Sequence, residues 1–254
     1  MKKNILSIFS ILLIVFVVFW FSVWRRHSIK TGIPEVILVG TSADFKPFSF
    51  KDINGNITGF DIDLAQEIAN RLGKSMEIQD MAFDLLIPQL QLGNIYLIAA
   101  GMTPTKERSE RVVFTKPYLT GDPLWIVTLK SNPVSGIKDL ENKNVIVNQG
   151  YTADIYLSKI PTIDLQRLPS VADALLALNS GRAFAFVTAA NSVRELLEQY
   201  PDKYTVAPIE DTDESSALAI APDYPDLAFA VKAAVENMEN DGTLRMLKDK
   251  WHVQ

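Results

Sequence analysis

The sequence contains no cysteine. Disulfides, thiolate metal sites and a lipidated cysteine anchor are therefore excluded. Histidine is almost as scarce. His27 and His252, at opposite extremes of 254 residues, leave almost no room for a histidine-based catalytic triad or a zinc centre. Acidic residues are missing from residues 1 to 30, which carry Lys2, Lys3, Arg25, Arg26 and Lys30. Without those five cations the rest of the chain holds 20 basic against 30 acidic groups, a net of −10. Nucleic-acid backbones are bound through basic patches and counterion release, so an acidic body argues against such a partner. The 48% hydrophobic content suffices for a substantial core, in one large domain or two smaller ones.

Residues 5 to 24, ILSIFSILLIVFVVFWFSVW, form a 20-residue run without a charge. Twenty helical residues at about 1.5 Å each span a hydrocarbon core of roughly 30 Å. Trp20 and Trp24 stand where interfacial aromatics belong, and cations flank both ends. A cleaved signal peptide is the alternative, but its apolar run is usually shorter and no small-residue cleavage pattern lies near residue 24. The expectation is an N-terminal transmembrane signal-anchor, residues 1–30. Its orientation is weakly specified, because basic residues stand on both sides.

From residue 35 onward, strand-like and helix-like runs alternate, which predicts an α/β fold with largely parallel sheets. EVILVGTS reads as a buried first strand. In GFDIDLAQEIANRLGK, Phe60, Leu64, Ile68 and Leu72 recur every four residues, the apolar face of a helix. Its acids, Asp61, Asp63 and Glu67, precede its bases, Arg71 and Lys74, as the helix dipole favours, and Gly73 supplies a stop. MEIQDM reads as a second strand, LLIPQLQLG as a helix and NIYLIAAG as a strand. A similar cadence returns at VADALLALNSGRAFAFVTAA, residues 171 to 190, so two α/β halves of like architecture are expected. FTKPYLTGDPLWIVTLKS and EDTDESSALAIAPDYP read as two extended crossovers between them. A cleft between lobes joined by two strands is a natural ligand site, with hinge closure as the expected motion.

Six segments in register resemble the family 3 extracytoplasmic solute-binding proteins, which bind polar amino acids for ABC importers. They are GFDIDLAQEIANRL at 59–72, TSADFKPFSF at 41–50, AFDLLIPQL at 82–90, AAGMTPTKERSERVVFTKPY at 99–118, NQGYT at 148–152 and DGTLRMLKDKW at 241–251. The resemblance implies a type II periplasmic-binding-protein fold, with residues 35–120 and 217–254 in lobe 1 and 124–213 in lobe 2. It further implies that Arg108 grips a ligand carboxylate, helped by Gly101, Thr103 and Thr152. A guanidinium fork meets a carboxylate through two charge-assisted hydrogen bonds, which lysine cannot reproduce. Read from composition alone, Arg108 would be one more solvated charge in the run KERSER. Phe45 and Phe83 match positions that flatten against a ligand side chain. Phe45, in a loop, points to that role, whereas Phe83 fits ligand contact and ordinary core packing equally. Ser42 matches a position where many relatives carry an aspartate, and TSA is most similar to arginine-binding members. Asp61 reads as a structural residue at a helix N-terminus.

The chain departs from the family pattern at two places. An aspartate that would accept from the ligand's ammonium is replaced by Ala189, following Thr188. Asp44, Asp154 and Glu214 are candidate substitutes, with Asn191 as a neutral one. Tyr96 stands where an aspartate is usual, and a change in lobe packing is expected there. The expected function is capture of a polar amino acid, arginine first, with glutamine and histidine as alternatives, for an ABC permease. The expected protein is monomeric, at the extracytoplasmic face of the membrane, without metal or organic cofactor. A cyclohexadienyl dehydratase-like enzyme and a membrane-anchored ligand sensor or adaptor are the competing readings.

Overall fold

The computed structural model describes residues 29–253, so the expected anchor at residues 5 to 24 lies outside the described residues. Among the described residues no helix is long and apolar enough to cross a membrane.

The chain opens with β1 (Val36–Thr41), a short three-stranded antiparallel sheet of β2 (Asp44–Phe45), β3 (Ser49–Lys51) and β4 (Ile57–Thr58), and helix α1 (Phe60–Arg71). Phe60, Leu64 and Ile68 are fully buried on one face of α1, as their spacing of four predicts. Burial of each such side chain contributes about 1.5–3 kcal/mol. Next come β5 (Ser75–Asp80), α2 (Phe83–Leu92), β6 (Leu97–Ile98), the one-turn α3 (Lys106–Ser109) and β7 (Val113–Phe114). Gly93, in the left-handed region at φ 77°, ends α2.

Strand β8 (Leu119–Asp122) leads out of this lobe and β9 (Leu124–Leu129) begins the second. The second lobe continues with β10 (Asn144–Asn148), α4 (Thr152–Leu157), β11 (Asp164–Leu168), α5 (Val171–Asn179), β12 (Ala185–Ala189), α6 (Arg194–Gln199) and β13 (Tyr204–Pro208). Strand β14 (Glu214–Ser216) returns to the first lobe, which is completed by β15 (Ala219–Ile220), α7 (Pro225–Asn240) and α8 (Thr243–Trp251). The terminal helical region is thus two helices, broken at Gly242 with φ 82°.

Two five-stranded sheets result, ordered β5-β1-β6-β15-β7 and β11-β10-β12-β9-β13. The two sheets are mixed. β1 pairs in parallel with β5 and β6, and β10 with β11 and β12, through helical crossovers. β9 and β15, the strands that follow the lobe-to-lobe connections, pair antiparallel to their neighbours. The two connections themselves pair, β8 with β14, as an antiparallel two-stranded ribbon.

NIYLIAAG forms a shorter strand than its apolar run suggests, because the sheet ends at Ile98. Beyond it the Ala99 carbonyl accepts from the Thr41 hydroxyl, and Gly101 turns into the left-handed region at φ 57°. Tyr96 packs against Tyr224 with ring centroids 4.6 Å apart, and Lys30 Nζ donates to the Tyr224 hydroxyl at 2.8 Å. The larger apolar cluster runs from Ile37, Leu64 and Leu97 across to Leu178 and Phe186, so it joins the two lobes.

Candidate functional site

The site begins with a buried acid. Asp61, in the first turn of α1, is wholly buried and accepts from the Gly101 backbone N–H and, at 2.6 Å, from the Tyr118 hydroxyl. Burial pushes its pKa up to about 7, against the pull of those two donors. Asp61 therefore fixes the peptide of Gly101 at the point where the chain leaves the sheet. A Cβ on Gly101 would lie 2.6 Å from the Phe45 ring, so glycine suits both the positive φ and the close approach.

Past Gly101, Thr105 caps the one-turn helix by accepting from the Arg108 backbone N–H at 3.2 Å. That turn sends Arg108 inward, where it is 6% exposed. Its Nη1 donates to the Thr103 carbonyl at 2.8 Å and its Nη2 to the Gly150 carbonyl at 2.9 Å, and its guanidinium lies 5.3 Å from the Phe83 ring centroid. Burial lowers its pKa to about 10, and the charge of Glu214 opposes that fall. It remains a cation at neutral pH.

The second lobe supplies the facing wall. Gly150, at φ 76°, carries the chain from β10 to α4, and its N–H donates to Asp154 at 3.0 Å. Two residues on, Thr152 opens α4, and its hydroxyl donates to Glu214 Oε2. The Thr103 hydroxyl, from the first lobe, donates to the same oxygen at 2.7 Å. Glu214 lies on β14 directly opposite Asp122 on β8. Burial raises the Glu214 pKa, while Thr152, Thr103 and Arg108 pull it back. Asp122 is pushed up to about 6 by burial, against the Asn191 N–H that it accepts at 2.9 Å.

Together Phe45, Phe83, Gly101, Thr103, Arg108 and Thr152 line one small cavity, partly open to solvent, with Ala100, Tyr151, Ala153, Thr188, Ala189 and Glu214. Ser42 stands apart. It is buried but does not line the cavity, and its hydroxyl donates to Asp44 at 2.8 Å.

Of the candidate acids, Asp44 spends its other oxygen on the Val171 N–H at 3.3 Å, bridging to the second lobe. Asp154 accepts from Arg167 at 2.9 Å, from Ser158 and from Gly150. Asn191 gives its backbone N–H to Asp122. Glu214 is the acid among the cavity's lining residues.

Tyr151 has no place in the sequence reading. Its ring packs 4.4 Å from Phe83 and edge-on 6.1 Å from Phe45, so it fills the gap between those rings, and its buried hydroxyl, near Ser42, makes no well-formed hydrogen bond among the described residues. The available signal was its bulk within NQGYT, a turn made otherwise of small or polar residues.

Comparison with known proteins places these elements in one context. Residues 37–254 match the bacterial extracellular solute-binding proteins, family 3. The arginine-binding extracellular protein ArtP of Bacillus subtilis is 31% identical over 223 residues, covering 85% of each chain. A solved ancestral arginine-binding protein bound to arginine is 34% identical with a TM-score of 0.82, covering 87% of this chain and 99% of that one. A structure of an ancestral arginine-binding protein bound to glutamine, also 34% identical, has a TM-score of 0.81 over 88% of this chain and all of its own. The ancestral amino-acid-binding protein AncCDT-1, a precursor of cyclohexadienyl dehydratase, is 35% identical with a TM-score of 0.78, over 85% and 95% of the two chains.

Proposed function

The chain belongs to the bacterial extracellular solute-binding proteins, family 3, and from that premise we propose that it captures a polar amino acid, arginine first, and presents it to an ABC permease. The observation that carries this reading is the buried Arg108, held between the Thr103 and Gly150 carbonyls with hydroxyls of both lobes beside it. A ligand carboxylate placed here would meet a desolvated guanidinium and would draw on both lobes, so its binding favours the closed arrangement that the permease reads. The proposed binding residues are Arg108, Thr103, Thr152 and Gly101, with Phe45 and Phe83 against the ligand side chain and Ser42 acting behind them through Asp44. Arginine is supported by the names of ArtP and the ancestral relative, and glutamine remains a second ligand on the same grounds.

The ligand enters between lobe 1, residues 35–120 and 217–254, and lobe 2, residues 124–213. Residues 5 to 24 are proposed to tether the chain to the extracytoplasmic face of the membrane, which fractionation of cells expressing the full chain tests.

Thermal unfolding of the full chain against the common amino acids tests binding. A ligand at about 100 times its Kd adds roughly 2.7 kcal/mol to the folded state. A shift with arginine or glutamine that disappears in Arg108→Ala supports the reading, and no shift with any amino acid refutes it. A dehydratase is the second reading, favoured by the likeness to AncCDT-1 and by a cleft carboxyl, Glu214, with a raised pKa. Turnover of prephenate by the same preparation distinguishes it.

A further inference from the structure

The cavity holds one cation, Arg108, and one acid, Glu214, and both are anchored to the same two chain segments. In the first lobe Arg108 takes the Thr103 carbonyl and Glu214 the Thr103 hydroxyl. In the second, Arg108 takes the Gly150 carbonyl and Glu214 the Thr152 hydroxyl, two residues on. Opposite charges are thus held side by side across the cleft, matching the carboxylate and ammonium that share one Cα in an α-amino acid.

Both hydroxyls bond to Oε2, which leaves Glu214 Oε1 without a hydrogen-bond partner among the described residues. The end of β12, where an acid could also reach the cavity, presents only Thr188 and Ala189. The oxygens of Asp44 and Asp154 are committed elsewhere. A buried ammonium without an anionic partner is strongly disfavoured.

We propose that Glu214 binds the α-ammonium of the ligand, so that the crossover ribbon supplies from β14 the negative charge that the second-lobe strand end lacks. This rests on the amino-acid-binding reading above and makes a primary α-amine a requirement of the site.

The test compares, by calorimetry on the full chain, L-arginine with 5-guanidinopentanoate and L-glutamine with 4-carbamoylbutanoate, each pair differing by the α-amine alone. The parent is expected to favour the amine-bearing member by roughly 10-fold or more. Glu214→Gln, which keeps an acceptor for both hydroxyls, should weaken amino-acid binding by roughly 10- to 100-fold and shrink the amine preference to within about threefold. Adding Ala189→Asp to that variant should restore the preference, which a merely structural role for Glu214 would not predict.

A Glu214→Gln variant that keeps the full preference overturns the proposal and leaves amino-acid binding intact. Binding of neither amino acid to the parent overturns the functional reading and this inference together. Should Glu214→Gln not fold, the parent decides the matter. Its amine preference should shrink as acid protonates Glu214, whose charged neighbours are Arg108, Asp213 and Asp122, and a preference unchanged between about pH 8 and pH 4 overturns the proposal.

Discussion

Arg108 and Gly150 belong to opposite lobes, and a hydrogen bond of 2.9 Å from the Arg108 Nη2 to the Gly150 carbonyl crosses the cleft between them. The same guanidinium grips its own lobe through the Thr103 carbonyl. One planar side chain therefore helps to bridge the cleft and keeps further N–H donors for an anion. Arg108→Lys keeps the charge but loses the planar fork, so it cannot span both carbonyls and still meet a carboxylate bidentately. It is expected to weaken binding of L-arginine by roughly 100-fold, a loss of about 2–3 kcal/mol, measured by calorimetry.

Gly101 carries the second prediction. Gly101→Ala forces a side chain into a left-handed φ of 57° and places a Cβ 2.6 Å from the Phe45 ring. A cost of about 1–3 kcal/mol in stability is expected, with weaker ligand binding because Phe45 must shift. Chemical denaturation of the variant beside the parent measures the first effect.

Tyr151 carries the third. Its buried hydroxyl makes no well-formed hydrogen bond among the described residues, so Tyr151→Phe is expected to stabilise the fold by roughly 1 kcal/mol, read as a raised melting temperature. Tyr151→Ser empties the space between Phe45 and Phe83 and should shift preference toward long side chains. The affinity ratio of L-arginine to L-alanine is the quantity to compare.

The pH profile is the fourth. Burial pushes the carboxyls of Asp61 and Asp122 up to about 7 and about 6, above the ordinary 3.8 that they regain on unfolding. Between those values the folded state keeps protons that the unfolded state has released, so stability falls as pH rises from about 4 through 7. Asp241 works the other way. Held at about 2 by Arg71, it contributes stability that is lost as pH falls from 3.8 toward 2. The thermal midpoint should therefore peak near about pH 4–5, and Asp61→Asn should flatten the decline between about pH 5 and 8. A midpoint that climbs steadily from pH 5 to 8 contradicts this.

Much of the fold was legible because it rests on periodicity. Phe60, Leu64 and Ile68 fixed the face of α1, and the repeated helix–turn–strand cadence marked the second lobe. Strand direction was not legible, since β9 and β15 look like any apolar strand and owe their antiparallel pairing to where the crossovers deliver the chain. Within the site, Gly101, Thr103 and Arg108 were singled out by the family resemblance, since the run KERSER read by its residues alone is a solvated charged face, and the Thr105 cap that turns Arg108 inward shows only in the fold. Glu214 was one of three candidate acids. Only geometry could separate it from Asp44 and Asp154, whose oxygens bond to backbone and neighbouring side chains. Tyr151 gave no periodic signal, because its role depends on meeting Phe45 and Phe83 from the other lobe.

The most direct measurement is calorimetric titration of the full chain with L-arginine and L-glutamine, parent against Arg108→Ala. The account predicts saturable one-to-one binding of at least one of them by the parent and its loss in the variant. Absence of binding to the parent, or equal binding by both proteins, would contradict it.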